Sequence, residues 1–138
     1  MMANFDKPLH PVHLILIVAA LSLFTGALVS DFAYISSYQV QWTNFASWLI
    51  AAGLVFCGVA IIWTFVELFR KDRVRERPLL ALLLLVATWL AAFINALVHA
   101  KDAWASMPLG LILSIIAVGL SIAAIWAMFK HQRIGGTS

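Results

Sequence analysis

Residues 78–98 read PLLALLLLVATWLAAFINALV. No charged side chain interrupts this run, and its length matches the roughly 20 residues of helix that cross a bilayer's hydrocarbon core. Similar runs lie at about 12–30, 45–69 and 108–130, and Glu67 is the only acid within them. Membrane strands would need only about 9–11 residues of alternating polarity. None of the runs alternates. Backbone in lipid must satisfy its own hydrogen bonds, so the runs read as helices.

Composition gives the same answer. The 138 residues are 64% hydrophobic and 11% charged, with a mean hydropathy of +0.99. Soluble domains are about 45–50% apolar and about 25% charged. A short soluble chain cannot hide this much apolar surface. The composition excludes a disordered chain, a nucleic-acid-binding domain and almost every soluble enzyme. Pro11 and Pro78 suit first-turn positions, and Thr43, Asn44 and Ser106 could cap the second and fourth helices. The links at 31–44, 70–77 and 99–108 are short, which makes successive helices antiparallel neighbours. The expected fold is all-α: residues 1–138 form one integral-membrane, up-down four-helix bundle. A cleaved leader in the first run is the minor alternative, since Thr25-Gly26-Ala27 is a passable cleavage site.

Orientation follows from the cations. Lys7, Arg70, Lys71, Arg73, Arg75, Arg77, Lys130 and Arg133 fall on the side of the N-terminus, and only Lys101 falls opposite. Cytoplasmic loops carry the excess of Lys and Arg, so both termini are expected in the cytoplasm and the bundle in the cell's inner membrane. Tyr34, Tyr38, Trp42, Trp48 and Trp104 on the other side suit a membrane–water interface. Lipid is the expected surrounding and nucleic acid is not a partner. Cys57, the single cysteine, reads as a small buried hydrophobe.

Small residues let membrane helices approach closely, so their stripes mark the bundle interior. Such stripes are Ala46, Gly53, Ala60 and Glu67 in the second helix, and Gly110, Ser114, Ala117, Ser121, Ala124 and His131 in the fourth. Thr88, Ala92, Asn95, His99 and Asp102 make a polar stripe in the third. The first helix offers two faces: His13, Ala20 and Ala27 with Asp31, or Ala19, Ser22, Gly26 and Ser30. The sequence does not choose between them.

Ionisable groups near a membrane are costly and tend to have a partner or a function. His10, His13, Glu67 and His131 map to the cytoplasmic end and form the first candidate cluster, for a cofactor. Asp31, Asn95, His99 and Asp102 form a second at the opposite end. Several of these residues also have a structural explanation. Glu67 can pair with Arg70 and Lys71 along its helix. His131 suits a helix C-terminus, and His10 a cap. His99 can bond to Asp102, and Asn95 can join two helices.

The opening Pro8-Leu9-His10-Pro11-Val12-His13, with Asp31, Glu67, Asn95 and His131 near helix ends, resembles a family of small bacterial four-helix membrane proteins catalogued as a domain of unknown function. The resemblance spans essentially the whole chain. Relatives in that family are sometimes joined to Rieske-type iron–sulfur domains, which implies a redox-linked role and an iron–sulfur or other redox membrane partner. The family tends to have glycines around the last histidine, whereas this chain reads Phe129-Lys130-His131-Gln132-Arg133.

Two functions compete. One is a redox protein with haem b or a divalent metal held by His13, His131, His10 and Glu67, since imidazoles from two helices commonly hold haem iron. The other is an accessory or scaffold subunit without chemistry, which could be a homo-oligomer. A small transporter with a carboxylate deep in its first helix is disfavoured, because residues 14–30 are uncharged. No nucleophile–base triad, phosphate loop or carboxylate pair is legible, so no independent enzymatic activity is expected.

Overall fold

The computed structural model describes residues 11–69 and 79–137, with the side chains of the last helix described as far as Phe129. Its helices are α1 (Pro11–Ser37), α2 (Val40–Leu68), α3 (Leu79–His99), the short α4 (Ala103–Ser106) and α5 (Leu109–Thr137). The four long helices contain spans apolar enough to cross a membrane. No strand occurs among the described residues. The chain is an all-α membrane helical bundle.

Three helix boundaries differ from expectation; the last helix runs on to Thr137 instead of ending near 130. The first helix continues past residue 30 to Ser37, and the second begins at Val40 rather than 45. The link is therefore only Tyr38 and Gln39. Tyr38 takes the left-handed conformation, with φ 57°, and its N–H bonds to the Tyr34 carbonyl at 2.6 Å. That single left-handed residue reverses the chain where the sequence reads as a longer link over 31–44; tyrosine rarely takes this conformation. Asp31 and Thr43 consequently lie inside helices. Gln39 is the N-cap of α2, without a side-chain cap bond. Ser106 lies in α4 and bonds to Ala103 O. Pro11 opens α1 as expected. Pro78 and the 70–77 loop lie outside the described residues.

The helices form a ring in which α1 packs on α2 and α5, and α3 packs on α2 and α5. The interior combines Ile17, Phe24, Ile50 and Leu85 with small residues such as Ala20, Ala46, Ala60, Ala92, Ala117 and Ala124. Van der Waals contact drives helix association in lipid, and small residues allow close backbones. At Gly53 an added Cβ would stand 2.5 Å from Phe24 Cε1. Glycine there is what lets the largest buried ring sit between α1 and α2. Across α2 and α3, Trp89 donates its indole N–H to Leu54 O at 3.1 Å, and Cys57 donates to Leu85 O at 3.7 Å.

The structure chooses between the two faces of α1. His13, Ala20, Ala27 and Asp31 are all buried, with Ile17, Phe24 and Tyr34 beside them, whereas on the other face Ser22 is exposed, Ala19 and Gly26 are half-buried and Ser30 alone is buried. Val29, Phe45, Val55, Ile62, Leu83 and Ile122 face outward. Those side chains would be an aggregation hazard in water and are at home in lipid.

Candidate functional site

Three of the four residues in the second candidate cluster come together. Asp31 belongs to α1, and Asn95 and His99 to α3. Asp31 sits on the buried face of α1, one helical repeat beyond Ala27. Asn95 and His99 are one turn apart on α3, so both point to the same side. His99 is the last residue of α3, and its level marks one end of the bundle.

Asp31 is fully buried, Asn95 is 1% exposed and His99 4% exposed. Asp31 Oδ1 lies 2.7 Å from His99 Nε2. His99 Nδ1 lies 2.9 Å from the Asn95 backbone carbonyl. Ser114 of α5 donates to Asp31 Oδ2 at 2.5 Å and accepts from Asn95 Nδ2 at 2.9 Å. The network thus joins α1, α3 and α5. Gly110 closes it from α5, since a Cβ there would stand 2.8 Å from His99 Cε1.

These contacts fix the hydrogens. A carbonyl can only accept, so His99 Nδ1 carries a hydrogen and donates it. Across the 2.7 Å contact, His99 Nε2 donates to a carboxylate or a protonated Asp31 donates to the ring. Either arrangement leaves one proton between Asp31 and His99, and the pair as a whole is neutral. Ser114 has one hydrogen, which goes to Asp31, so its oxygen must accept from Asn95. That requirement orients the Asn95 carboxamide and leaves Oδ1 without a partner among the described residues.

Asp102 does not join this network. It is exposed, and its backbone carbonyl accepts from Ala105 and Ser106 at the start of α4. The expected His99–Asp102 bond is replaced by His99–Asp31 from a different helix. Ser114 is the member that sequence reasoning treated only as packing. Its signal was its place on the same stripe as Gly110, on a helix whose neighbour carries Asn95.

The other candidate cluster is described only in part. His13 is buried in the first turn of α1. Its Nε2 lies 3.0 Å from Thr64 Oγ1, and its ring stacks on Trp63 at 5.7 Å between centroids, tilted 14°. The Thr64 hydroxyl donates to Ala60 O at 2.9 Å. Thr64 therefore accepts from His13, which places a hydrogen on Nε2. Glu67 is half-buried one turn beyond Trp63. His10, the His131 side chain, and the Arg70 and Lys71 partners expected for Glu67 lie outside the described residues. Among the described residues no group of three or more His, Cys, Asp or Glu side chains could hold a metal ion.

The profile of a family described as "Predicted membrane protein (DUF2231)" matches residues 9–129. No curated protein matches the chain, and no solved structure does.

Proposed function

The chain belongs to the DUF2231 family of membrane proteins, and from that premise we propose that it is a proton-holding subunit associated with membrane redox chemistry. Asp31 and His99 are the site, Ser114 and Asn95 position it, and both termini face the cytoplasm across the inner membrane. The observation that carries this reading is the pair of acceptors around His99: a carbonyl on Nδ1 and a carboxylate oxygen on Nε2. Such a ring cannot satisfy both contacts unless the pair holds a proton. A charged group alone in lipid is costly, whereas a neutral pair is tolerated, so one proton is the stable occupancy. A partner that moves electrons within the membrane gives such a proton a use, because charge compensation is cheapest close to the site of reduction.

Nitrogen NMR of the His99 ring in detergent micelles tests this. Both ring nitrogens should carry or share a hydrogen in the native chain. In Asp31→Asn the amide can donate to Nε2, so His99 should fall to a single N–H. A bare Nε2 in the native protein overturns the assignment.

A second reading is favoured by His13. A ligating histidine usually donates its other ring N–H to a neighbouring acceptor, which fixes the ring. Thr64 plays that part here, so His13 would be the residue of α1 to hold a haem iron or a divalent metal. His131, His10 and Glu67 are the proposed companions. Native protein purified from cells supplied with iron and haem precursors should then carry a stoichiometric ligand, lost in His13→Ala and kept in His99→Ala. Colourless, metal-free protein would favour an accessory subunit without a cofactor.

A further inference from the structure

Two buried oxygens lack a hydrogen-bond partner among the described residues, Asn95 Oδ1 and Thr43 Oγ1. Both lie at the Asp31–His99 end of the bundle. His13 faces Thr64 and Phe24 faces Gly53. The same antiparallel register carries Asp31 to Ala46 and Tyr34 to Thr43. The register of α3 on α2, set by Trp89 on Leu54 and Cys57 on Leu85, carries Thr43 to the level of His99. Thr43 thus stands one turn beyond Asp31, toward the surface where Lys101 and Asp102 are exposed. It is only 4% exposed and has no apolar reason to be a threonine rather than a valine.

We propose that Asn95 Oδ1 and Thr43 Oγ1 bind an internal water that exchanges protons between the Asp31–His99 pair and the membrane face bearing Lys101 and Asp102. This inference rests on the proton-holding reading above. Buried waters characteristically make about three bonds to polar groups left unsatisfied by the protein. Here the acceptor is Asn95 Oδ1, the hydroxyl is that of Thr43, and the third contact is a remaining lone pair of the Asp31 carboxylate. Asn95 and Asp31 bond to the same Ser114 oxygen, which keeps the amide and the acid close together. In the exchange, the water gives one hydrogen to the pair and takes the pair's own hydrogen. Water and pair both leave with unchanged charge.

The opposite direction is closed. Phe24, Ile17, Ile50 and Leu85 fill the middle of the bundle. The interior hydroxyls there already donate along their own helices: Thr64 to Ala60 O, Thr88 to Leu84 O and Ser121 to Ala117 O. None of these three hydroxyls has a hydrogen left to pass along the interior from the His13 end.

The test is the rate at which the His99 ring hydrogens exchange with solvent, measured by NMR in micelles. Thr43→Val keeps the shape and removes the hydroxyl. It should slow exchange at least tenfold while leaving the His99 ring nitrogen shifts unchanged. Thr43→Ser should restore the native rate, and Thr64→Val, at the far end, should not alter it. A magnetisation-transfer signal from a long-lived water to the Asn95 amide hydrogens should accompany the native protein. Native exchange in Thr43→Val, or slowing in Thr64→Val, overturns the route. A bare His99 Nε2 in the native chain would instead defeat the proton-holding reading, so the two failures are distinguishable. If Thr43→Val fails to fold, the water-to-Asn95 signal in the native chain decides: its absence overturns the proposal.

Discussion

The two ends of the bundle each bury a histidine, and they use it differently. At the start of α1, His13 bonds to a hydroxyl of α2 and stacks on a tryptophan of the same helix. At the end of α3, His99 meets an acid from α1, a carbonyl of its own helix and, through the acid, a serine of α5. The first contact joins two helices that are already neighbours through a tight turn. The second joins three, including α1 and α3, which are not neighbours in the ring of helices and meet through this contact. A histidine that donates to a neutral hydroxyl can itself be neutral. A histidine between two acceptors must sit in a pair that holds a proton. Chemistry at the two ends therefore differs although the residue type is the same.

The largest effect should come from breaking the three-helix end. Asp31→Ala removes the acid bonded to His99 and leaves Ser114 without its acceptor. Removing one partner of a buried pair costs about 3–5 kcal/mol, so thermal unfolding in detergent should shift strongly. A shift no greater than that of His13→Ala would remove the distinction between the ends.

Next comes the middle that separates them. Gly53→Leu forces bulk onto Phe24, where a Cβ alone already collides. Overpacking costs about 1–3 kcal/mol, and both ends should loosen together. Gly110→Ala should act only at the His99 end, because its Cβ would press on the ring. Its sign is a lowered melting temperature with changed His99 shifts and unchanged His13 shifts.

At the other end, Thr64→Val removes a neutral acceptor. A typical hydrogen bond contributes about 1 kcal/mol, so the loss should be smaller than for Asp31→Ala, and His99 should not respond. The smallest effect is expected at Asp102. Asp102→Asn should leave the melting temperature and the His99 spectrum unchanged, since the side chain is exposed and outside the network. A response at His99 would return Asp102 to the site.

Much of this is legible in the sequence alone. The apolar runs, the small-residue stripes and the polar stripe through Thr88, Asn95 and His99 all follow from helical spacing, which is local. Asp31 and His99 could be placed at the same end because an antiparallel bundle has only two. The turn at Tyr38 was not legible: left-handed backbone is cheap for glycine and asparagine, and tyrosine gives no such signal. The partner of His99 was not legible either. Asp102 is near in sequence and Asp31 is distant, and only packing decides which carboxylate shares the buried side.

By itself the sequence determined an all-α membrane bundle with its interior stripes, because length, hydropathy and the period of a helix are properties of each segment alone. Tertiary structure decided which face of α1 turns inward, that Ser114 belongs with Asp31, and that Asp102 does not. Those outcomes depend on how each helix is rotated about its axis. Uniformly apolar helices carry little amphipathic signal to fix that rotation, so the neighbours fix it through close contacts such as Gly53 on Phe24 and Gly110 on His99.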